Sequence, residues 1–209
     1  MQENDATTAF SSTQNTVVVG VGGGGSNAVN RMIATGLAGV EFVAINTDQG
    51  GLARSLAPEK VAVGGDLPNG RDAGGDPVIG RAAVRGAAGA IKAALGHADL
   101  VGLVVGEGGG TGSGGAPLVT QIAKGMGARV VAVVTRPFSF EGRRRGQVAD
   151  EAIDFLRGKV DDLVIVPLDS LLAHTAKSKM TTAFDIADLV LLGHVESVVR
   201  PPGARSAAA

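Results

Sequence analysis

The residues best suited to chemistry in this chain form a glycine-rich run, Gly-Gly-Gly-Thr-Gly-Ser-Gly, at residues 108–114. Glycine has no side chain to pack and loses much backbone entropy on folding, so the run predicts a main chain that turns tightly beside a ligand. Successive N–H groups in front of a helix favour an anion, phosphate above all. A flexible linker is the alternative, but the run stands between an apolar stretch, residues 100–105, and a helix-like segment that opens at Ala116.

A second glycine-rich run, at residues 20–25, satisfies the G-x-G-x-x-G pattern of dinucleotide binding, with Asp48 at the end of the next strand. Four consecutive glycines satisfy many patterns, so this match alone is weak. It also leaves the first run and the basic cluster at residues 143–145 unexplained. The Gly-Lys-Ser/Thr of a Walker A sequence does not occur. Any nucleoside triphosphate would therefore be held by backbone amides and hydroxyl groups. An NAD-dependent oxidoreductase stays an alternative on this pattern.

These runs need rigid elements to position them, and apolar strand-like segments alternate with helix-like ones along most of the chain. This alternation predicts an α/β fold, a doubly wound and mostly parallel sheet with helices on both faces. The predicted strands are residues 17–21, 40–46, 61–63, 100–105, 129–134 and 163–166, and the predicted helices are residues 26–35, 77–95, 117–126, 147–158 and 181–199. Ligands of such sheets bind at the carboxyl ends of the strands, where the glycine-rich loops lie.

Composition excludes several classes of protein. The net charge of −1 over 209 residues gives no reason to expect nucleic acid or an acidic membrane as partner. The absence of cysteine excludes disulfides and thiolate metal sites. We expect a cytoplasmic protein, because the polar N-terminus is unlike a signal peptide and no apolar run is long enough to span a membrane. Residues 1–16 and 201–209 are predicted to be disordered tails.

Three blocks of the sequence, in order, resemble the nucleotide-binding domain of FtsZ, the bacterial cell-division relative of tubulin. Residues 108–114 match the signature of the tubulin family, and residues 19–48 match the family's first loop, helix and second strand. Residues 135–145, Thr-Arg-Pro-Phe-Ser-Phe-Glu-Gly-Arg-Arg-Arg, match a third block. The chain is identified as a member of this family. The resemblance implies a tubulin-like GTP-binding domain at residues 17–180 and a central helix at residues 181–200.

The resemblance implies GTP or GDP as the ligand, with Mg²⁺ held mainly by phosphates and water and no certain metal ligand from the chain. Glu141 and Arg145 would contact the ribose and phosphates, although an exposed ion pair worth about a few tenths of a kcal/mol is the alternative. Asp188 would accept from guanine N1 and the 2-amino group. Phe184 would stack on the base, or only pack in the core. The implied GTP-binding residues are Gly22, Gly23, Gly24, Gly25, Ser26, Asn27, Asp48, Ala73, Gly74, Gly108, Gly109, Gly110, Thr111, Gly112, Ser113, Gly114, Thr135, Pro137, Glu141, Arg145, Phe184 and Asp188.

The chain departs from the family pattern at several of these positions. Ser26 stands where the family usually has a second asparagine, and Leu168 replaces an asparagine that helps to hold the nucleoside. Asp72 and Asp76 add two carboxylates to the loop near the γ-phosphate. They would repel a triphosphate unless Mg²⁺ or Arg71 offsets them.

The function that the resemblance implies is GTP hydrolysis coupled to polymerisation in bacterial cell division. In the family, the carboxylates that polarise the attacking water lie beyond the central helix, near where this chain ends. We therefore expect no catalytic residue within the chain, slow turnover by the chain alone, and no simple homopolymer. A partner that docks on intact FtsZ subunits and caps their filament is the alternative, which would place it at the division site. Direct membrane binding is not expected.

Overall fold

The computed structural model describes residues 14–65, 72–172 and 180–199. Its centre is one six-stranded sheet in which every pairing is parallel. The strands are β1 (Thr16–Val21), β2 (Glu41–Asn46), β3 (Glu59–Ala62), β4 (Leu100–Gly106), β5 (Arg129–Arg136) and β6 (Asp162–Pro167). The helices are α1 (Gly22–Ala34), α2 (Gln49–Ala53), α3 (Pro77–Gly86), α4 (Ala88–Leu95), α5 (Gly110–Gly125), α6 (Arg143–Leu156), α7 (Leu168–Leu172) and α8 (Met180–Val199).

The strand order is β3-β2-β1-β4-β5-β6, so the chain winds outward from β1 in one direction and from β4 in the other. One face of the sheet is covered by α3, α4, α5 and α6, and the other by α1 and α8. Both faces are thus buried, which explains why the central strands β1, β4 and β5 are nearly continuous apolar runs rich in valine. The predicted doubly wound α/β fold is confirmed.

The carboxyl ends of β1 and β4 lie side by side at the point where the winding reverses. Val21, the last residue of β1, is in register with Val105 near the end of β4. In open α/β sheets this crevice is where ligands bind. The topology therefore brings the glycine runs that follow these two strands together, although they are far apart in the sequence.

Several predicted helix boundaries are wrong. Helix α1 begins at Gly22 and α5 at Gly110, so most of each glycine run forms the first turns of a helix and only Gly108 and Gly109 lie in a turn in front of one. Glycine has a low helix propensity, but contacts with the sheet and neighbouring helices override it. The predicted helix at residues 77–95 is two helices, and α6 begins at Arg143. Helices α2 and α7 were not predicted.

Glycine also permits the close approach of α3 and α5. A Cβ on Gly114 would collide with the main chain of Pro77 and lie 2.7 Å from the Arg81 nitrogen. A Cβ on Gly80 would collide with the main chain of Gly110. The two helix backbones therefore touch at these positions. The expectation that glycines of the run serve ligand approach and not packing is wrong at Gly114.

Thr16, placed in the predicted N-terminal tail, is the first residue of β1, and the Asn15 N–H donates to the Asp99 carboxylate at 2.9 Å. The rest of that predicted tail, up to residue 13, and the predicted tail at residues 201–209 lie outside the described residues. Within the described part, no helix is both long and apolar enough to cross a bilayer.

Candidate functional site

A cavity of about 440 Å³ opens at the carboxyl ends of β1, β4 and β5, where the sheet topology predicts a ligand site. The first turns of α1 and α5 form its floor, and the loop before α3, the loop after β5 and part of α8 form its walls. Its lining residues are Gly23, Gly24, Asn27, Asp72, Gly75, Gly106, Glu107, Gly109, Gly110, Thr111, Gly112, Thr135, Pro137, Glu141, Arg145, Leu168, Ala187, Asp188 and Leu191.

The N-termini of α1 and α5 lie against each other on the floor of this cavity. Gly22 has φ +71°, and a Cβ there would lie 2.9 Å from the Gly112 nitrogen. A Cβ on Gly24 would lie 3.0 Å from Gly106 Cα. Neither helix has a side-chain N-cap or an acidic residue in its first turn. The N–H groups and positive dipole ends of two helices thus converge on one floor, an arrangement that attracts phosphate.

The Ser113 hydroxyl stabilises the conformation of the glycine run. Gly108 has φ +94°, and its N–H donates to the Ser113 hydroxyl at 2.8 Å. A Cβ on Gly108 would meet Arg145 and Pro137 at 2.7 and 3.2 Å. Ser113 is buried and absent from the lining. Its hydroxyl therefore stabilises the tight turn and does not face the cavity.

Thr111, on the lining, belongs to a small network of oxygen atoms with Thr47 and Asp72. The two threonine hydroxyl oxygens are 2.6 Å apart. Asp72 Oδ1 accepts from Thr47 Oγ1 at 3.0 Å and from Thr111 Oγ1 at 3.1 Å. The Thr47 hydroxyl also accepts from the Ala73 N–H at 3.2 Å. The two hydroxyl groups have only two protons, so at most two of the three oxygen–oxygen contacts are hydrogen bonds at any one time. The network links the loop before α3 to the glycine run.

Asp76 has a different position from Asp72. It is the N-cap of α3, and its Oδ1 accepts from the Val78 N–H at 2.8 Å. Asp76 is absent from the cavity lining. Of the two carboxylates expected to oppose phosphate, only Asp72 lines the cavity, and the other stabilises a helix end.

Glu141 and Arg145 line the wall that follows β5. Glu141 Oε1 accepts from the Phe138 N–H at 3.0 Å, and its Oε2 lies 3.0 Å from Arg145 Nε. The ion pair considered as an alternative is therefore present. Because both residues also line the cavity, pairing and ligand contact are compatible. The Arg145 side chain is half exposed, whereas that of Glu141 is largely buried.

Helix α8 supplies the wall opposite the glycine runs. Asp188 lines the cavity there, between Ala187 and Leu191. Leu168, at the asparagine position of the family, is buried and packs with Phe138 and Ala187. Among the described residues, this end of the cavity is therefore apolar except for the Asp188 carboxylate. The side chain of Phe184 lies outside the described residues.

The predicted site residues divide between those that line the cavity and those that support it. The twelve on the lining are Gly23, Gly24, Asn27, Gly109, Gly110, Thr111, Gly112, Thr135, Pro137, Glu141, Arg145 and Asp188. Absent from it are Gly22, Gly25, Ser26, Asp48, Ala73, Gly74, Gly108, Ser113 and Gly114.

Gly25, Ser26 and Asp48 lie away from the cavity lining, each in different surroundings. A Cβ on Gly25 would collide with the Val104 carbonyl, so this glycine lets α1 lie close to β4. Ser26 is buried with a hydroxyl that has no hydrogen-bond partner among the described residues. Asp48, the acidic residue of the dinucleotide pattern, points its carboxylate toward Gly51, where a Cβ would lie 2.6 Å from Oδ2. Its absence from the lining counts against the dinucleotide alternative.

Glu107 is a lining residue that the sequence analysis missed. It follows β4, its N–H donates to the Thr135 carbonyl at 3.1 Å, and it is only 2% exposed. Neither carboxylate oxygen makes a hydrogen bond within ordinary limits in the described part of the chain. Burial raises the pKa of Glu107 to about 7, and a weak contact with the Ser113 hydroxyl offsets this only in part. The signal for it was an acidic residue directly after a buried strand.

Gly75, Gly106, Ala187 and Leu191 also line the cavity without having been predicted. Within residues 14–65, 72–172 and 180–199, no group of three or more His, Asp or Glu side chains is placed to hold a metal ion.

A parallel sheet with two glycine-rich helix N-termini at its switch point defines a nucleotide-binding α/β protein. The chain belongs to the Tubulin/FtsZ family, because the family model of the GTPase domain matches residues 15–176. This confirms the family resemblance and the tubulin-like fold expected from the sequence.

Solved structures agree with this assignment. The chain is 39% identical to an empty FtsZ dimer from M. jannaschii, with a TM-score of 0.87 over 94% of this chain and 57% of that one. It is 26% identical to CetZ2 from Haloferax volcanii, solved as a GTPγS-bound protofilament, with a TM-score of 0.80 over 88% of this chain and 58% of that one. CetZ1 from the same organism, a GDP-bound monomer, is 22% identical with a TM-score of 0.79 and shares the fold. The chain covers 60% of CetZ1, so it spans about three fifths of each of these relatives.

Proposed function

We propose that this chain binds GTP and GDP in the cavity at the switch point, with the phosphates on the floor and the guanine base against α8. The observation that carries the proposal is the contact between Gly22 and Gly112, which brings two uncapped helix N-termini onto one floor. Membership of a GTPase family and the GTPγS and GDP bound to CetZ relatives support the same ligand class.

Asp188 is our proposed determinant of guanine selectivity. A carboxylate can accept from both N1–H and the 2-amino group of guanine, whereas adenine has no donor at either position. The rest of this wall is apolar, with Leu168, Ala187 and Leu191, which suits the faces of a purine ring. Hydrogen bonds to a charged group contribute about 1.5–3 kcal/mol, enough for a selectivity of tenfold or more.

Magnesium would enter with the nucleotide, held by phosphate oxygens and water. Its chemistry would be to neutralise phosphate charge, for which the described residues of the lining supply one guanidinium, that of Arg145. Thr111 and the backbone amides of the floor would orient the phosphates, and Asp72 would oppose them unless its charge is offset.

We further propose that hydrolysis of GTP, coupled to polymerisation in cell division, needs acidic groups that another family subunit supplies. A dimer and a protofilament among the solved relatives support self-association as the family's way of working. The partner would then be another subunit of the family, and the location the cytoplasm, at the division site when a filament is joined.

Calorimetric titration with GDP, GTP, ATP and NAD in the presence of Mg²⁺ tests the nucleotide proposal. We expect guanine nucleotides to bind and ATP and NAD to bind at least about tenfold more weakly. Asp188→Asn should remove most of the preference, because an amide presents one acceptor and a misplaced donor. Glu196→Gln, two turns further along α8 and away from the lining, is the matched control. Equal affinity for ATP would contradict the role of Asp188, and preferential binding of NAD would restore the dinucleotide alternative.

A further inference from the structure

Glu107 is a buried acid at the floor of the phosphate cavity that the proposed function leaves without a role. It lies between the last residue of β4 and Gly108, and the hydrogen bond from its N–H to the Thr135 carbonyl holds its backbone against β5. Its two carboxylate oxygens are inaccessible, and the contact of the carboxylate with the Ser113 hydroxyl falls outside ordinary hydrogen-bond limits. A buried, unpaired carboxylate is costly in its charged form, so this position favours the neutral acid.

The charges around the cavity make a further carboxylate anion at Glu107 unfavourable for the binding of phosphate. In the described part of the chain, the acidic residues that line the cavity are Asp72 in the loop before α3, Glu107 after β4, Glu141 before α6 and Asp188 on α8. The cationic side chain on the described part of the lining is Arg145 on α6, and it is already paired with Glu141. Beyond the lining, Arg136 at the end of β5 is paired with Asp150 of α6 at 2.7 and 3.0 Å. The first turns of α1 and α5 contribute no charged side chain.

We propose that nucleotide phosphate binds to the form of this chain in which Glu107 carries a proton, so that binding at neutral or alkaline pH takes up one proton from solvent. The inference rests on the proposed function, since it assumes that nucleotide phosphates occupy the glycine-lined floor. The added proton converts the Glu107 carboxylate to a carboxylic acid and so removes one negative charge. The site is buried, so solvent screens little of the repulsion that this charge would exert on phosphate.

The direction of the linkage follows from the charges. Burial already places the Glu107 pKa near neutrality, at about 7. Phosphate brought close to Glu107 disfavours its anion further and raises that pKa in the complex. Between the two pKa values, each unit of rising pH should weaken binding by up to about tenfold, and below both it should have no effect through this group. Glu107 would thus set the pH range over which the floor accepts phosphate.

The test measures GDP affinity by calorimetry between about pH 6 and about pH 9 for the full chain, Glu107→Gln and Glu151→Gln. Glutamine has the shape of the protonated acid and cannot ionise. Glu151 is an exposed residue of α6 away from this cavity, so the same change there is the matched control. Ionisation of GDP itself is common to all three proteins and cancels in the comparison. Repeating the titration in two buffers of different ionisation enthalpy counts the protons taken up directly.

We expect the affinity of the wild-type chain and of Glu151→Gln to fall at least about tenfold more than that of Glu107→Gln over the alkaline half of this range. At about pH 8, above the Glu107 pKa of the free chain, we also expect the wild-type chain to take up close to one more proton per GDP than Glu107→Gln does. If Glu107→Gln does not fold, Glu107→Met, an apolar residue of similar length, replaces it. Binding of GDP with the same pH dependence in all variants would overturn the proposal while leaving nucleotide binding intact. Failure of every variant to bind guanine nucleotide at any pH would overturn both.

Discussion

The Asp72 carboxylate accepts a hydrogen bond from the Thr111 hydroxyl, with Oδ1 and Oγ1 3.1 Å apart. Thr111 belongs to the first turn of α5 and lines the cavity floor. An acidic side chain is therefore hydrogen-bonded to a group that we propose holds phosphate. The same carboxylate oxygen contacts Thr47, which fixes the loop before α3. Asp72 therefore contributes to the order of this loop while placing a negative charge where phosphate would bind.

Asp72→Asn should increase the affinity for GDP. Asparagine keeps the oxygen that accepts from Thr111 but removes the negative charge, which we expect to be worth on the order of 1 kcal/mol, or about fivefold in affinity, at low salt. Added salt should reduce the gain. Asp76→Asn is the control, because Asp76 caps α3 outside the lining and asparagine caps helices equally well. Weaker binding by Asp72→Asn would show that this carboxylate helps to hold the nucleotide and its cation.

Arg145→Met should weaken GDP binding by about tenfold, since it removes the cation of the lining and keeps an apolar stem of similar length. Arg144→Met, an exposed neighbour away from the lining, should leave affinity unchanged. Unfolding in urea separates binding from stability. The half-exposed pair with Glu141 should contribute no more than about 0.5 kcal/mol to stability. Unchanged affinity in Arg145→Met would leave this residue as a surface ion-pair partner.

Gly114→Ala should destabilise the fold by about 1–3 kcal/mol, because its Cβ would collide with the main chain of Pro77, which cannot move without separating α3 from α5. Gly125→Ala is a matched control in the same helix, where an added Cβ meets nothing within 4 Å. That change should be neutral or stabilising, given the higher helix propensity of alanine. Urea unfolding curves compare the two. Equal stability of both variants would contradict the close backbone contact.

Glu107 should make the free energy of unfolding fall as the pH rises. Its pKa in the folded chain, about 7, lies above the ordinary value of 4.5, so the folded state binds more protons than the unfolded state between these values. The contribution is fully present below about pH 4.5 and is lost as pH rises to about 7, amounting to about 2–4 kcal/mol. Urea unfolding of the wild-type chain and Glu107→Gln at matched pH values gives the difference between them.

Two exposed carboxylates act in the opposite direction in the same pH series. Hydrogen bonds from Arg136 lower the pKa of Asp150, and hydrogen bonds from Lys124 and the Val130 N–H lower that of Asp161. Their stabilisation is lost as pH falls through these lowered values. Because both act equally in the wild-type chain and Glu107→Gln, only the difference between the two proteins isolates Glu107. A pH-independent difference would contradict the raised pKa.

Local sequence patterns were sufficient for the parallel sheet and for the edge at which the site lies. Runs such as the one in β4 are apolar on both faces of the strand, which indicates a buried parallel sheet. Glycine-rich runs accompany the ends of β1 and β4, which indicates the binding edge. Both predictions depend only on residues that are close together in the sequence. The family signature made guanine nucleotide the expected ligand. Twelve of the predicted site residues line one cavity.

Which glycines line the cavity and which allow close backbone packing depended on contacts between segments that are distant in the sequence. Nothing near Gly114 in the sequence reveals that Pro77 will lie against it, whereas Gly109 and Gly112 in the same run line the cavity. Asp72 and Asp76 look alike in the sequence, yet one reaches Thr111 and the other caps a helix. The burial that raises the pKa of Glu107 is likewise a sum over neighbouring elements. Close approach, hydrogen-bond partners and desolvation are properties of the packed chain, and for that reason only the tertiary structure decided them.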